Sequence, residues 1–116
     1  MDALESLEVW KRSCRLSANI YSLLTKSRQY GFRDQVTRSG LSIPSNIAEG
    51  YERNSRKEFV RFLRYAKGSC GELKTQLYIG IEAGFVDDGQ AKRLIREARE
   101  ISCMIQGLIR RYETQR

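Results

Sequence analysis

The chain has 116 residues and a net charge of +7, from 21 Lys and Arg against 14 Asp and Glu. This length is enough to bury one hydrophobic core without disulfides or metals, so we expect a single domain over residues 1–116. The chain has no histidine, and Cys14, Cys70 and Cys103 lack the close spacing of zinc ligands. We therefore expect no metal, no cofactor and no histidine-based catalysis.

The cysteine count and the hydropathy indicate a cellular compartment. An odd number of cysteines without a paired spacing is typical of a reduced, cytosolic protein. The sequence shows no signal peptide and no apolar segment of membrane-spanning length. We expect a cytoplasmic protein that does not contact a membrane.

Apolar residues recur at helical spacing almost throughout the chain, and no segment alternates as a strand does. The first predicted helix, of about 20 residues, carries two apolar stripes about 110 degrees apart around its axis. We expect the first stripe to face the core; its residues are Leu7, Trp10, Cys14, Ser17, Tyr21 and Leu24. The second stripe consists of Val9, Leu16, Ile20 and Leu23.

The second predicted helix begins near residues 32–34, ends at Gly50 and contains Pro44. The proline ring would press on the carbonyl of Gly40, which also loses its N–H partner. Small side chains nearby leave room for a bend, so a helix kinked at Gly40 and Pro44 is favoured over a break in the chain. The inward residues are Phe32, Val36, Ile43 and Ile47.

The third and fourth helices have clear start signals. Ser55 and Glu58 have the spacing of a capping box, Gly84 suits a left-handed stop, and Asp87 or Asp88 suits the cap of the last helix. Apolar stripes follow each cap: Phe59, Leu63, Ala66, Cys70, Leu73 and Leu77, then Ala91, Leu94, Ala98, Ile101, Ile105, Leu108 and Tyr112. Short connections then predict an all-α fold, an antiparallel up-down-up-down four-helix bundle with a proline-kinked second helix.

The stretch SIPSNIAEGYERNSRKEFVRFLRYAKGSCGELKTQL resembles the signature of a bacterial four-helix-bundle family often encoded by intervening sequences in 23S ribosomal RNA genes. The segments LEVWKRSCRLSANIYSLL, YGFRDQVTRSGLSIPSNIAEG and EAGFVD extend the match over most of the chain. The resemblance implies a bundle without known enzymatic activity. It also implies a distant similarity to the accessory variability determinant of diversity-generating retroelements, a five-subunit ring that binds nucleic acid and a reverse transcriptase.

Two groups of basic residues are candidates for nucleic-acid binding. One surrounds the start of the third helix, and the other lies on the outer side of the fourth: Arg53, Arg56, Lys57, Arg61 and Arg64, then Lys92, Arg96 and Arg99. Such residues can serve solubility, since charged outer faces are usual on amphipathic helices. Alternatively they bind the phosphates of structured RNA or of DNA by releasing counterions, with Tyr51 and Tyr65 as neighbouring aromatic residues.

A subunit interface is a second candidate site. The second stripe of the first helix exceeds what one core needs, and Cys103 with Gly107 offers small residues on the outer face of the fourth helix. We predict that Val9, Leu16, Ile20, Leu23, Cys103 and Gly107 meet another subunit. The alternatives are burial of the stripe inside the same bundle and, for Cys103, a reactive thiol among cations.

These patterns favour a non-enzymatic homo-oligomer with a basic surface for structured RNA or another nucleic acid. The resemblance implies that the oligomer is a pentameric ring. The polar residues Ser42, Asn46, Glu49 and Arg53 fit hydrogen bonds around the bend better than a hydrolytic site, because nothing supplies the base. The alternative function is a protein-interaction scaffold or an accessory subunit whose partner the sequence does not name.

Overall fold

The computed structural model describes residues 3–114, and its regular structure in that range is entirely helical. Residues 1, 2, 115 and 116 of the predicted domain lie outside the described residues. The helices are α1 (Ala3–Ser6), α2 (Glu8–Leu24), α3 (Tyr30–Glu52), α4 (Arg56–Ala83) and α5 (Asp88–Thr114). The predicted all-α class is confirmed.

The predicted number of helices is wrong, because a one-turn helix, α1, precedes the four long ones. Leu7 has extended backbone angles, φ −75 and ψ 114, and so separates α1 from α2. The Leu7 N–H donates to the carbonyl of Leu4 at 3.0 Å. The side chains of Leu4 and Leu7 both pack against the hydrophobic core, so burying them favours a turn at this point over a longer α2.

The stripe predicted for the third helix is buried in full, on α4. Most of the stripe predicted for the last helix is also buried, on α5, where Leu108 and Tyr112 are half-buried. Of the residues predicted to point inward from the second helix, Val36, Ile43 and Ile47 are fully buried on α3. The core therefore lies between the apolar faces of the long helices.

On α2 the structure buries an arc that takes residues from both stripes. Ser17 and Leu24 of the first stripe are 5% and 1% exposed, as expected. Val9, Leu16 and Ile20 are 3%, 0% and 0% exposed, while Tyr21, expected in the core, is 47% exposed. The burial of these apolar side chains orients α2. Arg12 lies at the edge of the buried arc and meets α5, where its Nη2 lies 2.6 Å from both Glu97 and Glu100.

The predicted subunit interface is accordingly wrong for Val9, Leu16 and Ile20, which have no surface left to offer another subunit. Leu23 is half-buried and packs against the same core. The alternative of burial inside the same bundle is the one that the structure shows for this stripe. Cys103 and Gly107 are exposed, as expected, and their place in an interface stays a prediction.

α3 continues without interruption through Pro44, so the alternative of a chain break at this residue is wrong. Its polar residues make local contacts: Ser42 Oγ lies 2.6 Å from Ser69 Oγ of α4, and Asn46 Nδ2 donates to the Ser42 carbonyl at 2.8 Å. Gly40 and Pro44 are both buried. The bend itself stays a prediction.

The local start and stop signals are confirmed. Ser55 Oγ accepts the Glu58 N–H at 3.2 Å, and Asp87 Oδ2 accepts the Gln90 N–H at 2.8 Å. Gly84 has φ 75, a conformation that favours glycine. The Phe85 N–H then reaches the Gly80 carbonyl at 2.8 Å, which completes a Schellman end for α4.

None of the helices between Ala3 and Thr114 combines the length and the apolar composition that crossing a membrane requires.

Gly50 allows α3 and α4 to approach closely beside their connecting turn, and this contact can be tested. A Cβ at Gly50 would lie 2.6 Å from the Phe62 Cβ and 3.4 Å from the Phe59 Cα. Neither atom can move without shifting α4, so Gly50→Ala should lower the free energy of unfolding by about 1–3 kcal/mol. Urea denaturation at a fixed protein concentration measures the change.

Gly68 is the matched control, because it lies inside α4 and a Cβ there would meet no atom within 4 Å. Gly68→Ala should raise the free energy of unfolding by up to about 1 kcal/mol, since alanine has the higher helix propensity. Equal effects of the two substitutions would contradict the close packing at Gly50.

Candidate nucleic-acid interface

The basic cluster predicted at the start of the third helix forms only in part. Arg53 and Arg61 meet at one aromatic ring: their Cζ atoms lie 4.9 Å and 4.8 Å from the centroid of Phe62. Arg56 and Lys57, in the first turn of α4, are exposed. Arg64 lies elsewhere, because its guanidinium binds Glu113 of α5. The turn between α3 and α4 and the start of α4 thus bring together four of the five predicted cations.

Carboxylates neutralise much of this cluster. Glu49 binds Arg53 at 2.9 Å, and Glu58 binds Arg61 at 2.7 Å and lies 3.7 Å from Arg53. The hydrogen bonds from Arg61 hold the pKa of Glu58 below its ordinary value, with smaller contributions from the charges of Arg53 and Lys57. A phosphate would have to compete with these carboxylates for the same guanidinium groups.

The two aromatic candidates differ in their surroundings. Tyr65 is 48% exposed, and its hydroxyl accepts a hydrogen bond from Arg61 at 2.9 Å. Tyr51 is half-buried and packs edge-on against Phe59, with 5.7 Å between ring centroids. Of the two, Tyr65 offers the more open face to a stacked base.

The cations of α5 have fewer carboxylate partners than those at the start of α4. Arg96 and Arg99 are exposed, and neither makes an ion pair with another residue in the described range. Lys92 is paired with Asp88 one turn earlier, at 3.3 Å. The other two nearby acids of α5, Glu97 and Glu100, both bind Arg12 of α2.

Two lysines of α4, Lys67 and Lys74, extend this basic surface and are absent from the sequence prediction. Lys67 follows Arg64 by three residues and Lys74 precedes Tyr78 by four, so all four share one side of α4. Arg64 contacts α5 at Glu113, and Tyr78 lines a cavity together with Lys92. The same side of α4 therefore borders α5 along its length.

We call this basic surface the α4–α5 groove. Arg99 and Arg110 belong to it because they follow Lys92 by seven and 18 residues, which returns each side chain to about the same side of α5. Glu72 is the one acid in residues 65–81 of α4. Among the described residues, no carboxylate pairs with the four central cations of the groove: Lys67, Lys74, Arg99 and Arg110.

A spacing signal could have identified the two lysines. Lys67 and Lys74 are seven residues apart and bracket Cys70, which the sequence analysis placed in the core. Side chains three and four residues from a buried position lie beside it on the helix surface, at the rim of the contact between helices. The prediction omitted them because it considered only the face opposite the apolar stripe.

Two of the three thiols are shielded by burial, whereas Cys103 is exposed on the same side of α5 as Arg99 and Arg110. Cys70 is fully buried, and burial raises its pKa to about 12, although the charges of Lys74 and Lys67 oppose the rise. Burial also raises the pKa of Cys14. In the range 3–114, no three His, Cys, Asp or Glu side chains cluster as metal ligands would.

The ion pair between Glu58 and Arg61 predicts an acid-dependent loss of stability. The pKa of Glu58 is lower in the folded chain, so the pair stabilises the fold above the ordinary glutamate pKa of about 4.3. This contribution disappears as the pH falls through the lowered value. Glu58→Gln should therefore lower the urea midpoint at pH 7 and leave it almost unchanged near pH 2.

Glu72→Gln provides the control, since Glu72 is exposed on the same helix and makes no ion pair with a described residue. Its urea midpoint should match that of the unmodified protein at both pH values. A Glu58→Gln deficit that is as large at pH 2 as at pH 7 would contradict the role of the carboxylate charge.

A known crystal structure has the same fold. It is a protein of unknown function from the S23 ribosomal protein family of Bacteroides thetaiotaomicron, determined at 1.70 Å resolution, and it aligns with a TM-score of 0.81 at 24% sequence identity. The alignment covers 87% of this chain and 97% of that one. No curated protein matches the chain.

The sequence also matches a family model. The model describes the 23S rRNA-intervening sequence protein, and the match runs over residues 5–107. This range includes α2, α3 and α4 in full and most of α5. The chain belongs to the 23S rRNA-intervening sequence protein family.

Proposed function

We propose that this protein is a non-enzymatic, homo-oligomeric helical bundle of the cytoplasm that binds the phosphate backbone of structured RNA through the α4–α5 groove. The observation that carries the proposal is the set of central groove cations, Lys67, Lys74, Arg99 and Arg110, which lack carboxylate partners among the described residues. The cluster at the start of α4, with its bound glutamates, is the weaker of the two basic surfaces.

Electrostatics supports the α4–α5 groove as a phosphate site. Lys92 and Arg110 are about 27 Å apart along α5, so one strip of cations faces many backbone charges, which recur about every 1.7 Å along a duplex. Each cation can contact a separate phosphate, so binding releases several counterions.

The groove contains no element that reads bases, so the proposed binding tolerates many sequences. The described structure is helical, and it lacks the sheet on which RNA-recognition domains stack bases. Tyr65, on the outer side of α4, offers one aromatic face beside Arg61. Discrimination between RNA and DNA would then come from the shape of the backbone.

We also propose that the four long helices run alternately up and down in the bundle and that α3 bends at Pro44. Contacts between helix ends support the order: Phe59 near the start of α4 packs on Tyr112 near the end of α5, with centroids 5.0 Å apart. Phe32 near the start of α3 likewise contacts the Gly80 position near the end of α4. The bend is supported by the missing N–H of Pro44, which leaves the Gly40 carbonyl without its helical donor.

A protein-interaction scaffold is the second candidate function, and one surface favours it. Tyr78 and Ile79 are 49% and 55% exposed. Tyr78, Ile79 and Ile81 line an open cavity of about 660 Å³ at the end of α4 that faces α5. Exposed apolar residues beside a cavity are typical of a docking site for another protein.

Equilibrium binding to a structured RNA across a salt series tests the nucleic-acid proposal. Lys67→Glu with Lys74→Glu removes two proposed phosphate contacts. This variant should bind more weakly than the unmodified protein, and the slope of log K against log salt should fall by about two units. Helicity should be unchanged, because both residues lie outside the core.

Lys57→Glu with Arg61→Glu is the matched control, because it lowers the net charge by the same amount at the start of α4. Its salt slope should remain close to that of the unmodified protein. Equal losses from both variants would show that net charge alone drives binding, and the groove proposal would then be wrong. Absence of binding at low salt would favour the scaffold function.

A further inference from the structure

Helix α5 forms a ridge at one corner of the bundle. It packs against α4 on one side and against α2 on the other, and its buried residues are all apolar. The charged residues of α5 therefore occupy the half of the helix that faces away from the core. One flank of this ridge belongs to the α4–α5 groove, and the other flank faces α2.

The flank that faces α2 contains a second basic cavity, which we call the α2–α5 groove. Its volume is about 320 Å³, and its polar lining consists of Arg12, Arg15, Asn19, Arg93 and Glu97. Arg15 and Arg93 are exposed, and neither forms an ion pair with a residue between Ala3 and Thr114. The groove therefore offers two guanidinium groups to an anion, and guanidinium binds phosphate oxygens in pairs.

The acids near the α2–α5 groove do not cancel its charge. Its three arginines face two glutamates, because Glu100 joins Glu97 on this flank, which leaves 3 − 2 = +1. Both glutamates bind Arg12, each at 2.6 Å, so a phosphate can reach the other two arginines without displacing them. The surplus is smaller than that of the four central cations in the α4–α5 groove, so a single phosphate backbone should prefer the α4–α5 groove.

The two grooves hold their cations at overlapping positions along α5. Lys92 and Arg93 are adjacent in the sequence, so they lie about 100° apart around the helix at almost the same height. Arg93 and Arg99 are about 120° apart and about 9 Å apart along the axis. A helix with its side chains is about 10–12 Å across. The cations thus form two rows that are separated by about the width of α5.

We infer that the α2–α5 groove binds the second phosphate backbone of a base-paired RNA segment whose first backbone lies in the α4–α5 groove. This inference rests on the proposed function, and it specifies the form of the RNA. A duplex presents two phosphate backbones on either side of a groove, which matches two rows of cations on either side of α5. A single strand presents one backbone and needs only the α4–α5 groove.

The shape of α5 favours duplex RNA over duplex DNA. The minor groove of B-DNA is about 6 Å wide, too narrow for a helix. Its major groove is about 8.5 Å deep, whereas α5 protrudes by only about half its diameter because its inner half is buried. The minor groove of A-form RNA is wide and shallow and displays 2′-hydroxyls. The exposed amide of Asn19 can both donate to and accept from such a hydroxyl.

Equilibrium binding to a blunt RNA duplex and to single-stranded oligouridine of equal length tests the inference. Arg15→Glu with Arg93→Glu should weaken duplex binding about tenfold or more at physiological salt, and the slope of log K against log salt should fall by about two units. Oligouridine should bind this variant as well as it binds the control variant, because a single strand occupies the α4–α5 groove alone.

Lys26→Glu with Arg28→Glu is the matched control, since it changes the net charge by the same amount in the connection between α2 and α3. Both residues are exposed, and neither makes an ion pair with a described residue. The duplex affinity and salt slope of this control should stay close to those of the unmodified protein. Circular dichroism checks that each variant is folded. Arg15→Gln with Arg93→Gln introduces no acid and should show a smaller loss in the same direction.

The possible results separate this inference from the proposed function. Equal losses of duplex affinity in the test and control variants, or equal losses on duplex and oligouridine in the test variant, would overturn the second backbone site and leave the α4–α5 groove as the RNA site. A DNA duplex that binds as tightly, with the same sensitivity to the test variant, would overturn the choice of RNA. Absence of binding to all three probes at low salt would overturn both the inference and the proposed function.

Discussion

The orientation of α2 depends on the burial of its apolar arc, in which Val9, Leu16 and Ile20 are at most 3% exposed, and one ion-pair network lies at the edge of that arc. Arg12 binds Glu97 and Glu100 of α5, and these hydrogen bonds raise the pKa of the arginine further above its ordinary value. That flank borders α5, and Val9, Leu16 and Ile20 lie beside it in the core. Trp10, Cys14 and Tyr21 are left on the side that borders α3.

The same network shapes the electrostatics of α5. Glu97 and Glu100 face α2, where they neutralise Arg12, and so they are unavailable to the cations on the α4 side. Lys67, Lys74, Arg99 and Arg110 consequently form a strip without carboxylate partners in the described range. At these four cations of the α4–α5 groove a phosphate backbone can bind without displacing an acid.

The composition of α3 suits close packing against both of its neighbours, α2 and α4. Its residues 39–48 are small, polar without charge, or apolar, and its glycines at positions 40 and 50 lie directly against Ile20 of α2 and Phe62 of α4. Ser42 reaches Ser69 of α4 at 2.6 Å. A helix packed closely on two sides retains only a narrow outer face.

The sequence by itself determined the helical class, the caps at Ser55 and Asp87, the stop at Gly84 and the buried stripes of α4 and α5, because each depends on residues a few positions apart. Only the tertiary structure decided which residues of the two α2 stripes are buried and which cations pair with acids. Those outcomes depend on pairs such as Arg12 with Glu97 and Arg64 with Glu113, which are 85 and 49 residues apart. The residues of a helix that are buried depend on which helices pack against it, and those helices can be distant in the sequence.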